Sequence, residues 1–153
     1  MIHIKRLPEA DTRTCDSASA SKQKLLEASS EHIRDVGKGL SFLVGLLLDA
    51  AVKHDYDKLM RLDWFFDNFS SGFERRDWWD AHRRMHRHHL DKEDGIPPDV
   101  NLLDVIEHVT DCVMAGMARS GTVYPVTLPS DLLQKAVANT EKLLIDQIVV
   151  EGA

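Results

Sequence analysis

Four of the chain's eight histidines, His82, His86, His88 and His89, fall within eight consecutive positions of the stretch DAHRRMHRHHLDKED. Three chemistries suit such a run. Neutral imidazole is a common ligand for divalent transition metals. Arg75, Arg76, Arg83, Arg84, Arg87 and Lys92 outnumber Asp77, Asp80 and Asp91, and Trp78 and Trp79 stand beside them, which would suit single-stranded nucleic acid. A plain solvated surface is the third. On one continuous helix, His82, His86 and His89 share about 60° of arc while His88 points nearly the other way. A helix ending near Arg87 would instead let His88 and His89 both turn inward.

Two other segments carry compatible chemistry. In KHDYDK, His54 and Asp55 are adjacent, with Lys58 one turn later. Imidazole nitrogen and carboxylate oxygen together suit Mn, Fe, Co, Ni or Zn. In NLLDVIEHVTDCVMAGMARSG, Asp104, Glu107, His108 and Asp111 lie within about 100° on a helical wheel, while Leu103, Val105, Ile106, Val109, Val113 and Met114 cover the other directions. Either this stripe faces water, or a buried helix carries its carboxylates inward, where they need a cation.

The elements that must position these residues read as helices. A helical pattern runs from about 21 to 53, with Gly37 and Gly39 as its weak points. A second is expected over about 56–68. A third follows the Ser70-Ser71-Gly72 turn and ends before DKEDGIPPDV, where Pro97 and Pro98 stop it. The fourth runs to Gly121, and a last one over about 131–149 is capped by Ser130 or Asp131. No alternating strand pattern of useful length appears, so the expected class is all-α. Residues 1–20 read as a disordered or loosely docked polar leader containing Cys15, and 21–153 as a single helical domain.

Composition narrows the function classes. A net charge of −6 over 153 residues disfavours bulk nucleic-acid binding. Cys15 and Cys112 have no paired spacing for a zinc ribbon or a disulfide framework. The most apolar run, LSFLVGLLLDAAV, has 13 residues and includes Asp49, so no membrane association is expected and the reading is cytoplasmic, host cytoplasm for a phage-encoded chain.

The order His32, His54-Asp55, His82, His88-His89, Asp111 resembles the HD-domain superfamily of metal-dependent phosphohydrolases. It is similar in more detail to a family of small phage and bacterial proteins with an early H-x-x-x-V, then H-D-x-S-K, a His six residues before a His-His pair, and D-L-x-E-x-x-x-D-W. Here these read HIRDV, HDYDK, His82 with His88-His89, and LLDVIEHVTDC, over roughly residues 25–145. Asp57 stands where that pattern has Ser, and Cys112 where it has Trp.

The resemblance implies a compact HD-like bundle of about five helices. It also implies a divalent ion held by His32, His54, Asp55, His82 and Asp111, with Lys58, His88, His89 and Glu107 as catalytic candidates. His88 or His89 would complete a second site or protonate the leaving group, and Lys58 or Arg84 would neutralise phosphate. The implied substrate is a small phosphorylated molecule, a nucleotide included, and a homo-oligomer is compatible with it. The rival is a non-catalytic interaction protein stapled by metal or histidine. His32 carries a condition: on one unbroken helix it would lie about 33 Å from His54, so it needs a break at Gly37-Lys38-Gly39.

Overall fold

The computed structural model describes residues 1–6 and 17–152; Cys15 and most of the polar leader lie outside them. The chain is mainly helical, with five α-helices of nine residues or more. These are α1 (Lys22–Lys53), α3 (Leu62–Ser70), α4 (Asp77–Met85), α5 (Leu102–Ser120) and α6 (Leu132–Ile145); α2 (Asp57–Met60) is a single turn. Two four-residue strands, β1 (Ile2–Lys5) and β2 (Ile148–Glu151), complete it. Where the sequence reading drew one domain, the described residues group into two compact units: Met1–Gly45 with Lys142–Ala153, and Leu46–Glu141.

In the first unit β1 and β2 pair in parallel, Ile2 opposite Ile148 and Lys5 opposite Glu151. Of the two readings of the leader, disordered or loosely docked, its described start is docked, with Ile2 buried. One expectation is corrected: the last helix stops at Ile145, because residues 148–151 are extended. The strands escape a periodicity search because each is four residues long and its partner lies at the other end of the chain. Helix α1 runs through Gly37 and Gly39 without a break.

The second unit has a small apolar core of Leu90, Val100, Val105, Leu132 and Ala136. Polar locks surround it. Asn101 caps α5 by accepting from Leu103 N, and Asp104 Oδ2 returns a bond to Asn101 N at 2.8 Å. Thr140 Oγ1 accepts from Leu102 N at 2.9 Å, and Asn139 Nδ2 donates to Val100 O at 2.8 Å. The expected second helix is interrupted at Arg61, whose backbone leaves the helical region (φ −127, ψ 42), giving α2 and α3. Helix α5 ends on Gly121 in the left-handed conformation (φ 69), where a side chain would be strained.

Helix α5 also touches the chain that follows it. A Cβ added at Gly116 would come within 2.6 Å of Tyr124 N and closer still to Thr122 O. Tyr124 N donates to Cys112 O at 3.2 Å, which fixes this segment against the helix. Gly116→Ala is therefore expected to lower unfolding free energy by about 1–3 kcal/mol through overpacking. Gly37→Ala, with nothing within 4 Å, should be neutral or stabilising by up to about 1 kcal/mol. Chemical denaturation of both variants checks the pair.

Candidate metal centre

All the residues of the centre lie in the second unit. Helix α1 ends at Lys53, and the turn that follows presents His54 and Asp55, the latter with φ 52. Positive φ is uncommon for a residue with a side chain, though Asp tolerates it better than most, and such outliers concentrate at functional sites. Helix α4 ends at Met85, and extended backbone at His86 lets His88 and His89 both turn inward. His82, His86 and His88 are buried and His89 is half-buried.

The stripe on α5 also faces inward. Asp104 and His108 are buried and Glu107 and Asp111 half-buried, whereas Ile106, Val109 and Met114 are exposed. Of the two readings of this helix, the water-facing one is thus overturned. Asp104 pairs with Arg87, Nε to Oδ1 at 2.8 Å and Nη2 to Oδ2 at 2.9 Å, and His108 Nδ1 donates to His88 O at 2.8 Å.

Hydrogen bonds fix the tautomers. His82 Nδ1 lies 2.9 and 3.0 Å from the two oxygens of Asp57, and His86 Nε2 lies 2.8 Å from Asp57 Oδ1. An ionised carboxylate only accepts, so Nδ1 of His82 carries the proton and Nε2 is left as a lone pair. Burial alone would raise the Asp57 carboxyl, but the bonds and charges of His82 and His86 hold it below the ordinary range. In the same way Glu107 Oε1 accepts from His54 Nδ1 at 2.9 Å and lies 3.0 Å from His88 Nδ1. Burial raises Glu107 too, and those two imidazoles outweigh it.

The bare nitrogen of His82 then faces a carboxylate oxygen. His82 Nε2 lies 3.3 Å and His88 Nε2 3.6 Å from Asp55 Oδ1. Asp55 Oδ1, His82 Nε2, His88 Nε2 and His89 Nε2 are all buried without a hydrogen-bond partner. His82 Nε2 and Asp55 Oδ1 are both acceptors, and at this distance they repel unless a proton or a cation lies between them. A proton on His82 is opposed, because burial pushes its pKa down against the pull of Asp57 and Asp55. His89 is pushed down to about 2 by burial first and then by His88 and His82. Ligands about 2.1 Å from a common ion stand roughly 3.0–3.4 Å apart, close to the separations observed.

A second, shallower set adjoins this one. His54 Nε2 lies 3.6 Å from Asp55 Oδ2 and 3.7 Å from Asp111 Oδ1. His54, His88 and Asp111 form one group able to hold a metal ion; Asp55 forms two more, with His88 and His89 and with His82 and His86. The donor set, imidazole with carboxylate, fits a borderline divalent ion. Lys58 Nζ donates to Asp55 Oδ2, and burial of Asp55, which would raise its pKa, is outweighed by Lys58, His54 and His82.

The sequence-predicted residues therefore divide. His54, Asp55, His82, His88, His89, Glu107 and Asp111 converge, with Lys58 at their edge. His32 does not join them: it is exposed in the first unit on an unbroken α1, and the break it required is absent. Arg84 is exposed and touches no part of the centre that the structure records. The basic face is partly tied up, since Arg83 pairs with Asp94 at 2.6 Å and Arg87 with Asp99 and Asp104, and Trp78 is buried, closed to bases. Asp57 has no place among the sequence-predicted residues, and His86 stands in the imidazole run without an assigned role. Their signal was a departure from the family pattern at 57 and one more histidine in the cluster.

Comparison of the chain with protein-family models, curated proteins and solved structures gave no match. Among the described residues no helix is long and apolar enough to cross a membrane.

These shifts set a pH dependence. An unfolded histidine takes up a proton near pH 6.5, whereas folded His89 resists it down to about 2. Between those values the unfolded chain binds the extra proton, so stability falls as pH is lowered, by about 1.4 kcal/mol per pH unit for one such group. His82 acts in the same direction, and the depressed Asp55, Asp57 and Glu107 extend the loss as pH falls through the carboxylate range. Chelator-treated protein should therefore melt at lower temperature at pH 5 than at pH 7, and His89→Gln should flatten that slope. Equal slopes for both proteins would contradict the buried neutral imidazole.

Proposed function

We propose that the chain is a divalent-metal-dependent phosphohydrolase of HD-like type, acting on a small phosphoester, nucleotides included. The observation that carries the reading is the set of four buried polar atoms without hydrogen-bond partners, Asp55 Oδ1, His82 Nε2, His88 Nε2 and His89 Nε2, in which the bare Nε2 of His82 faces Asp55 Oδ1. The order of the ligands along the chain matches the HD-type resemblance, with Asp57 and Glu107 held behind the imidazoles. An open cleft of about 590 Å³ reaches His54, Asp55, His89 and Asp111. A purely structural site would be closed, and this opening favours catalysis over a metal staple.

In this reading a bound divalent ion supplies the charge that polarises a phosphoryl oxygen and lowers the pKa of a water molecule. The protein's own residues do the rest. Asp57 fixes His82 with Nε2 inward, and Glu107 does the same for His54 and approaches His88. Lys58 stays on the outer oxygen of Asp55 and sets that carboxylate's orientation. His54 and Asp111, the partly exposed members, line the cleft through which a phosphoester would reach the centre.

Elemental analysis and a phosphatase screen with Mn, Co, Ni and Mg test the reading. Asp55→Asn and His82→Gln should each lower bound metal at least tenfold and abolish turnover. Asp57→Asn, which leaves the ligand in place but loosens it, should weaken metal affinity by about 10–100-fold. His32→Ala should match the wild type. Purified protein that neither contains nor takes up metal would overturn the assignment.

A further inference from the structure

The cleft over the metal centre has a second wall that the ligands do not explain. Trp79, Arg119 and Tyr124 line it together with His89 and Asp111. Trp79 is half-buried, with its ring 5.6 Å from His82 and 5.5 Å from His89, so it is fixed by the same imidazoles that face the centre. Tyr124 is 40% exposed, and its backbone is tied to α5. Its N–H is bonded to Cys112 O, and only glycine at 116 allows the segment to lie so close to α5. A tyrosine pinned by its backbone, with its side chain half in solvent beside a cleft, is a preorganised platform for a flat ring.

The charges of the same wall restrict the phosphate. Of the two cationic side chains lining the cleft, Lys58 is bound to Asp55. Arg119 is exposed, gives Nη1 to Ala115 O at 3.2 Å and pairs with no carboxylate of the described residues, which leaves the rest of its guanidinium for an anion. One free guanidinium beside a divalent centre matches one phosphate group. A triphosphate would bring further charge to a cleft whose remaining ionised groups, Asp55 and Asp111, are acidic.

Resting on the phosphohydrolase reading, we infer that the substrate is a phosphomonoester carrying an aromatic ring, with Arg119 binding the phosphate and Tyr124 stacking on the ring. A nucleoside monophosphate and a simple aryl phosphate share this chemistry. Calorimetric binding to metal-loaded protein separates the roles, with inorganic phosphate, a non-hydrolysable phosphonate analogue of AMP and phenylphosphonate as probes. Tyr124→Ala should weaken binding of a ring-bearing probe by about tenfold and leave inorganic phosphate unchanged, and Tyr124→Phe should restore it. Arg119→Met should weaken all three.

A loss confined to the AMP analogue assigns a nucleoside; a loss shared with phenylphosphonate assigns any aryl group. Unchanged affinity for both ring-bearing probes in Tyr124→Ala, or an equal loss for inorganic phosphate, overturns the inference. In turnover assays AMP or phenyl phosphate should exceed both ribose 5-phosphate and ATP at least tenfold in kcat/KM. Hydrolysis of all four at similar rates would overturn this inference and leave the phosphohydrolase standing, whereas metal-loaded protein that hydrolyses none would overturn both.

Discussion

The carboxylate of Asp57 accepts from His82 and His86, and with that it decides which nitrogen of His82 is bare. Everything at the centre depends on that choice. Were Nδ1 free instead, Nε2 could carry the proton and bond to Asp55 Oδ1, 3.3 Å away, and the cluster would be a closed polar network needing nothing further. With Asp57 in place the bond is refused, and His82 presents a lone pair to Asp55 Oδ1 beside the partnerless ring nitrogens of His88 and His89. Unpaired buried acceptors cost roughly 1–3 kcal/mol each, more where a charge is involved, so a cation is the natural resolution. Glu107 repeats the device on His54, so that two carboxylates behind the imidazoles aim the cluster from two elements.

Holding those carboxylates and imidazoles in one place is a task for chain breaks rather than helices. Asp55 sits at φ 52 between the end of α1 and the turn α2, which turns its side chain away from the run of α1. Helix α4 stops at Met85, so His88 and His89 lie on irregular chain and both point inward. Such chain has no hydrogen-bond ladder of its own, and arginines secure it. Arg83, buried, holds Asp94, and Arg87 bridges Asp99 and Asp104. Because Asp104 also closes the capping box of α5, the loop carrying the histidines and the helix carrying Glu107 and Asp111 share one anchor.

This explains what could be read from the sequence and what could not. Helices α1, α4 and α5 were legible because apolar periodicity, proline and glycine punctuate them, and the donor types of His54, Asp55, His82 and Asp111, though not their tautomers, were legible as candidate ligands. The inward turn of the α5 stripe was ambiguous, because apolar residues cover most of that helix and periodicity cannot say which arc meets protein. The arginines looked like a basic face because their acidic partners, Asp94, Asp99 and Asp104, lie 11–17 residues further along. Asp57 was hidden by its difference from the motif: a residue that replaces the expected serine was read as a departure, although it governs the tautomer of His82. The strands were invisible because pairing between Ile2–Lys5 and Ile148–Glu151 is a long-range event with no local signature.

The gradient of exposure across the cluster bears on whether a bound ion would staple the fold or act on a ligand. His82 and His88 have side chains 0% and 1% exposed, Asp55 17%, His54 31% and Asp111 35%. A staple gains from uniform burial, since each ligand then contributes to excluding water and competing ligands. Here the candidate ligands grade from a dry floor to a wet rim, and the rim members line the cleft that also holds Arg119, Trp79 and Tyr124. Burial holds the pKa values of His82 and His89 down, which keeps these two imidazoles neutral and able to bind an ion, while the rim remains open to solvent and to an anion. That division, tight retention on one side and access on the other, is what distinguishes a centre built to meet a ligand from one built only to hold a chain together.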